Sequence, residues 1–102
     1  MTETQTAIHE AAKQMKDAVN GLGLGIEIGA IHHAPGSNSI YYKLQHDEMN
    51  HGRPETVRLS DHENHRQSSY MLWDIILPPH GFGASAAEQI AEFVEDLELM
   101  LE

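Results

Sequence analysis

Two stretches, Ser37-Asn38-Ser39-Ile40-Tyr41 and Val57-Arg58-Leu59-Ser60-Asp61-His62, decide the fold, because polar and apolar residues alternate in both. Side chains along a β-strand point alternately to opposite faces of the sheet. Each stretch therefore predicts a strand that has one polar face. The residues on that face are Ser37, Ser39 and Tyr41 in the first strand and Arg58, Ser60 and His62 in the second.

The two strands match each other on both faces if they pair as an antiparallel hairpin. On the apolar face, Ile40 would then lie opposite Leu59, and Tyr42 opposite Val57. A slip of one residue would mix polar and apolar side chains, so a buried face specifies the register. A slip of two residues would preserve both faces and stays open. The polar pairs predicted by the first register are Tyr41 with Arg58, Ser39 with Ser60, and Ser37 with His62.

Helical periodicity predicts one helix near each end of the chain. The first runs from about Thr4 to Asn20, with Gly21 as a candidate C-cap. The second begins at the capping box Ser85-Ala86-Ala87-Glu88, in which Ser and Glu each satisfy a free backbone N–H group. Its apolar stripe consists of Ile90, Phe93, Val94, Leu97 and Leu101.

Glycine alternates with leucine from Gly21 to Gly25, directly after the first helix. A phosphate-binding glycine loop follows a strand and precedes a helix. The order here is reversed, so these glycines predict the end of a helix and the start of a strand.

Four strands are predicted between the helices, at about 25–31, 37–45, 54–60 and 69–77. The chain therefore predicts a single α+β domain over residues 1–102, in the order α-β-β-β-β-α. Short connections favour a four-stranded antiparallel meander, flanked by the N- and C-terminal helices, with both helices on one face. In the fourth strand, the residues expected to face the helices are Met71, Trp73, Ile75 and Leu77, and those expected on the second face are Tyr70, Leu72, Asp74 and Ile76.

The second sheet face would thus be partly polar and partly apolar. Such a surface is seldom left bare, and it suits a homodimer interface, a partner-binding face or a ligand site. Serine and tyrosine hydroxyls, an arginine fork and an imidazole can together bind a nucleotide or another phosphate compound. The alternative is a structural network in which Arg58 stacks on Tyr41, Asp61 caps a turn and His62 bonds to backbone.

The net charge of −10 is the most unusual property of the composition. From Ser68 to Glu102 there is no Lys or Arg, and the acids are Asp74, Glu88, Glu92, Glu95, Asp96, Glu98 and Glu102. Such a surface repels phosphates and attracts basic partners, although it also serves solubility alone. We expect no direct binding of duplex DNA, since that depends on Lys and Arg. A local patch of Arg53, Arg58 and Arg66, with tyrosines for base stacking, is the open alternative.

The chain has no cysteine, which excludes disulfides and thiolate metal sites. Its start, MTETQTAIHE, lacks the basic and apolar regions of a signal peptide. No apolar run is long enough to span a membrane. We therefore expect a cytoplasmic protein with no membrane partner.

No nucleophile with an orienting base can be named, so no catalytic residue or cofactor is assigned and a non-enzymatic protein is expected. Eight histidines leave one enzymatic alternative, a metal-dependent hydrolase. His62 and His65 are spaced three apart, and His32 adjoins His33. No HExxH motif is present, however, and solvated loop histidines are the plainer account, so no metal ligand is assigned.

The pattern Ser37-x-Ser39-x-Tyr41 followed by Arg58-x-Ser60-Asp61-His62 is similar to one in small uncharacterised proteins of phages and mobile elements. In size, acidity and absence of cysteine, the chain resembles phage inhibitors of host defence, including anti-CRISPR proteins. This resemblance implies a binding protein that occupies a basic surface on a host protein or nucleoprotein complex. The residues expected to face that partner are Glu88, Glu92, Glu95, Asp96, Glu98 and Glu102.

Overall fold

A computed structural model of the chain describes residues 2–32, 38–49, 52–62, 71–78 and 84–101. Its elements are α1 Glu3–Gly21, β1 Glu27–His32, β2 Ser39–Gln45, β3 Glu55–Ser60, β4 Met71–Ile76 and α2 Ala86–Met100. This confirms the predicted α+β class and the order of helices and strands. No helix among the described residues is both long enough and apolar enough to cross a membrane.

The four strands form one sheet in the order β1-β2-β3-β4. The β1–β2 and β2–β3 pairs are antiparallel, but β3 and β4 run parallel, so the prediction of an antiparallel meander is wrong for the last strand. The length of the connection between these strands permits the parallel pairing. A six-residue strand spans about 20 Å, whereas the residues from Asp61 to Tyr70 can reach about 33 Å when extended. The chain can therefore return to the starting end of β3 before it pairs again.

The predicted register of the central hairpin is confirmed. The partners across β2 and β3 include Ser39 with Ser60, Ile40 with Leu59, Tyr41 with Arg58, and Tyr42 with Val57. The predicted pair of Ser37 with His62 lies outside the described residues, because Ser37 does. Burial of the apolar face excludes a slip of one residue, and the observed pairs resolve the two-residue slip that the sequence leaves open.

Both helices pack on the apolar face of the sheet, as predicted. Helix α1 buries Ile8, Ala11, Ala12, Met15 and Val19, and α2 buries Ile90, Phe93 and Leu97. The sheet contributes its alternate residues to the same core, namely Ile40, Tyr42, Leu44, Val57, Leu59, Ile75 and Leu77. The Trp73 and Phe93 rings meet at 5.5 Å in a tilted arrangement, which ties β4 to α2.

The glycine-rich segment ends α1 and leads into β1, as predicted, but Gly21 is not its left-handed cap. The helix includes Gly21, and the capping residue Leu22 keeps a right-handed conformation, with φ −68° and ψ −25°. Positive φ values occur later, at Gly23 and Gly25. The chain thus turns toward β1 through two residues that tolerate the left-handed region.

The predicted capping box at α2 is only half formed. The Ser85 hydroxyl accepts a hydrogen bond from the Glu88 backbone N–H at 3.1 Å, and it donates one to the Glu88 carboxylate at 3.1 Å. A complete capping box stands at α1 instead, between Thr2 and Gln5.

Candidate functional site

The polar face of the central hairpin forms one hydrogen-bonded group, which we call the Arg58 cluster. It contains Ser39, Arg58, Ser60, His62 and, from β4, Asp74. The side chains of Arg58 and Ser60 are almost fully buried, with 2% and 0% of their surfaces exposed. Of the predicted site residues, Ser39, Arg58, Ser60 and His62 are joined in this cluster. Tyr41 is the strand partner of Arg58, and Ser37 lies outside the described residues.

The guanidinium of Arg58 is already engaged within the chain. Its Nη1 donates to both Asp74 carboxylate oxygens at 2.9 Å and to the His62 carbonyl at 3.2 Å. Its Nη2 donates to Ser60 Oγ at 2.9 Å and to Ser39 Oγ at 3.3 Å. Only Nε is without a partner within the described ranges. A phosphate would have to displace these contacts, so the cluster is a preformed ion pair with serine support rather than an open anion site.

Asp74 is the member of the cluster that the sequence reasoning missed. The alternation in the fourth strand predicts Asp74 on the second face, but its pairing with Arg58 depends on the parallel register that sets these two residues side by side. The available signal was a lone carboxylate in the apolar run from Met71 to Leu77. Burial raises the pKa of Asp74 above its usual value, and the charge of Arg58 partly opposes that shift.

Ser60, His62 and Asp61 resemble a catalytic triad in composition but not in geometry. His62 Nδ1 lies 2.8 Å from Asp61 Oδ1 and 3.0 Å from Ser60 Oγ, so both partners meet the same ring nitrogen. In a triad the serine meets Nε2 and the acid meets Nδ1. Ser60 is also fully buried, so its hydroxyl is out of reach of a substrate. This arrangement orients an imidazole but does not activate a nucleophile.

Asp61 and His62 can pair because β3 ends at Ser60, after which side chains no longer alternate strictly. The Asp61 carboxylate also accepts a hydrogen bond from Asn38 Nδ2 at 3.1 Å. The hydrogen bond from His62 is the main cause that lowers the pKa of Asp61. The imidazole itself remains more than half exposed.

The predicted acidic partner-binding residues lie on the outer side of α2, opposite its buried stripe. Glu88, Glu92, Glu95 and Glu98 are exposed and Asp96 is half-buried, while Glu102 lies outside the described residues. We call Glu88, Glu92 and Glu95 the acidic row, because their spacing of four and three residues aligns them along the helix. Leu99, which is 63% exposed, continues the same line.

The histidines do not form a metal centre within the described part of the chain. No three His, Asp or Glu side chains there converge as a bound ion would require. His33, His51, His65 and His80 lie outside the described residues, so the hydrolase interpretation stays a prediction.

No protein-family model, curated protein or solved structure matches this chain. The α+β fold, the Arg58 cluster and the acidic row are therefore the basis for a functional proposal.

Proposed function

We propose that the chain is a small, acidic, non-enzymatic binding protein that occupies a basic surface on a nucleic-acid-handling or defence complex of a host cell. Phage anti-defence proteins, including anti-CRISPR proteins, are the class of proteins that this proposal describes. The observation that carries the proposal is the exposed acidic row on α2, with Glu98 beside it.

The acidic row is unfavourable for the helix that bears it. Like charges three or four residues apart each destabilise a helix by about 0.2–0.5 kcal/mol. Glu95 and Glu98 also lie toward the C-terminal end, where the helix dipole favours cations, and the last turn holds no basic residue. Within the described ranges, the contacts between basic and acidic side chains are Arg58 with Asp74 and His62 with Asp61, so none compensates the row. A basic partner would relieve this repulsion, whereas folding of the chain alone does not explain it.

The alternative of a nucleotide or phosphate ligand on the polar sheet face is less well supported. Arg58 donates to Asp74, His62, Ser39 and Ser60, and the positive charge that would attract a phosphate is matched by the Asp74 carboxylate. We therefore assign the Arg58 cluster a role in holding β2, β3 and β4 together.

A homodimer that forms through this second face stays a prediction, and part of the described face is already buried within the single chain. Ser39, Arg58, Ser60 and Ile76 are already buried in the single chain. The described part of the face that stays exposed is the end near Glu27 and Lys43.

The decisive experiment compares partner capture by two triple variants with the same change of charge. Glu88→Gln/Glu92→Gln/Glu95→Gln removes the acidic row. The matched control, Glu3→Gln/Glu10→Gln/Asp17→Asn, removes three exposed acids from one line on α1. Immobilised wild-type chain should capture a basic nucleic-acid-handling protein from host lysate at low salt, identified by mass spectrometry. Capture should fall with added salt as the charges are screened.

The purified partner is then titrated with each variant. We expect the α2 triple variant to lose at least tenfold in affinity, and the α1 control to bind nearly as wild type. Equal losses in both variants would show that only the net charge matters. Failure to recover any basic partner at low salt would overturn the proposal.

A further inference from the structure

A cavity of about 300 Å³ opens where β1 begins and β2 ends. Its lining residues are Gly25, Glu27, Gln45, His46 and Asp47. Glu27 and Gln45 are partners across the two strands, and they alternate with residues that face the core. The cavity therefore lies on the sheet face away from the helices, and none of its described lining residues belongs to α2.

The walls of the cavity are held in place by the fold. His46 donates from Nε2 to the Leu24 carbonyl at 2.9 Å, and its Nδ1 accepts from the Glu48 backbone N–H at 3.0 Å. Both ring nitrogens are thus committed, with the proton on Nε2. Met49, which is only 1% exposed, anchors the same turn in the core. A preformed wall lowers the entropic cost of binding a ligand.

The lining combines negative charge with open space. Glu27 and Asp47 supply two exposed carboxylates, and the lining residues that the structure describes include no Lys or Arg. Gln45 donates its amide N–H to the Gly52 carbonyl at 3.4 Å, which leaves the side-chain oxygen available as an acceptor. Gly25, with φ +73°, contributes no side chain, and an added Cβ there would meet no atom within 4 Å.

We propose that this cavity binds an organic cation, a guanidinium or primary ammonium group on a short alkyl chain, as an arginine or lysine side chain presents. Two carboxylates and an amide oxygen match the donors of such a cation. A volume of about 300 Å³ is at the lower end for small-molecule sites, which suits a ligand of this size. A metal ion fits less well, because no three ligating side chains converge among the described residues.

The test is a titration of the nitrogen-15-labelled full chain with ethylguanidinium chloride and with n-butylammonium chloride at low salt. We expect saturable shifts of the Gly25, Glu27 and His46 backbone amides, with dissociation constants of about 1–10 mM. N-ethylurea, the neutral analogue of ethylguanidinium, should leave the chemical shifts of these amides unchanged. Titration with acetyl-Gly-Arg-Gly-amide distinguishes the source of the cation. Tighter binding of this peptide than of ethylguanidinium indicates a side chain of a partner protein. Tighter binding of the free cation indicates a small molecule.

Three variants connect the shifts to the carboxylates. Glu27→Gln and Asp47→Asn should each weaken binding by roughly two- to fivefold, the range for an exposed ion pair. Glu48→Gln is the matched control, because Glu48 belongs to the same turn but does not line the cavity. Unchanged amide positions elsewhere in the spectrum verify the fold. Shifts that do not saturate, an equal response to N-ethylurea, or an equal loss in Glu48→Gln would overturn the proposal.

Discussion

Arg58 is the largest side chain that the described part of the fold buries completely. A buried charge is tolerated only when it is paired and hydrogen-bonded. Asp74 supplies the opposite charge, and the hydroxyls of Ser39 and Ser60 supply further acceptors. Removal of Asp74 leaves the buried guanidinium of Arg58 without its counter-charge, and removal of Arg58 leaves a half-buried carboxylate without its ion pair. The two residues should therefore be strongly coupled in stability.

We therefore expect Arg58→Met to lower the free energy of unfolding by about 3–5 kcal/mol. Asp74→Leu alone should be similarly harmful, because it leaves the guanidinium unpaired. The double variant should recover most of the loss, since an apolar pair of similar volume avoids the desolvation of two charges. Urea unfolding of the four proteins gives the coupling energy directly. Additive losses in the double variant would contradict the assignment of Arg58 to this ion pair.

Asp61 should make stability sensitive to acid. Its folded pKa lies below the ordinary value, mainly because His62 donates a hydrogen bond to its carboxylate. The folded state therefore binds fewer protons than the unfolded state, and this contribution to stability is present above about pH 4. It is lost as the pH falls through the folded pKa.

Asp61→Asn should accordingly flatten the decline in unfolding free energy between about pH 5 and pH 2, measured by urea unfolding at each pH. Asp17→Asn on α1 controls for the loss of a carboxylate elsewhere on the surface. Asp74 acts with the opposite sign, because burial raises its pKa and its contribution is lost as the pH rises. An acid limb as steep in Asp61→Asn as in wild type would refute this role.

At the scale of elements, Gln89 joins α2 to the end of β4. Its side-chain Oε1 accepts from the Ile76 backbone N–H at 2.8 Å, and its Nε2 donates to the Ile76 carbonyl at 2.6 Å. The amide thus takes the place that a peptide group of a further strand would hold. Sequence periodicity did not reveal it, because a glutamine beside an apolar stripe is typical of any helix boundary.

Gln89→Ala should lower the free energy of unfolding by roughly 1–3 kcal/mol, because it leaves a donor and an acceptor of Ile76 without partners. Gln14→Ala on the exposed side of α1 is the matched control, and it should change stability little. Thermal unfolding followed by circular dichroism measures both. Equal melting temperatures for the two variants would show that the contact contributes nothing.

At the scale of the whole molecule, the negative charge should oppose folding through self-repulsion. Salt screens exposed charges and affects a buried pair much less. Raising sodium chloride from about 20 mM to about 0.5 M should increase the free energy of unfolding by on the order of 1 kcal/mol. This corresponds to a rise of about 4–8 °C in Tm. Calorimetry of the wild type and of Glu88→Gln/Glu92→Gln/Glu95→Gln tests this, and the variant should respond less. A Tm that falls with salt would contradict it.

The parts of the fold that depend on local patterning could be predicted from the sequence. Alternation in β2 and β3 predicts which faces match and excludes a slip of one residue, and the structure confirms the pairs of Ser39 with Ser60 and of Tyr41 with Arg58. Alternation does not encode the direction of the next strand, so β4 was oriented wrongly. The same error hid the contact between Arg58 and Asp74. The cavity beside Glu27 depends on how a turn and a strand end meet in space, for which the sequence carries no periodic signal.

The amide of Gln89 also bears on aggregation. Strand β4 is an edge of the described sheet and belongs to the apolar run from Met71 to Leu77, interrupted only by Asp74. An apolar edge with free backbone groups invites a strand from another molecule. Because Gln89 occupies the N–H and carbonyl of Ile76, a second chain finds no backbone partner at that position. The contact that fastens α2 to the sheet thereby removes one backbone pairing position, that of Ile76, from this edge.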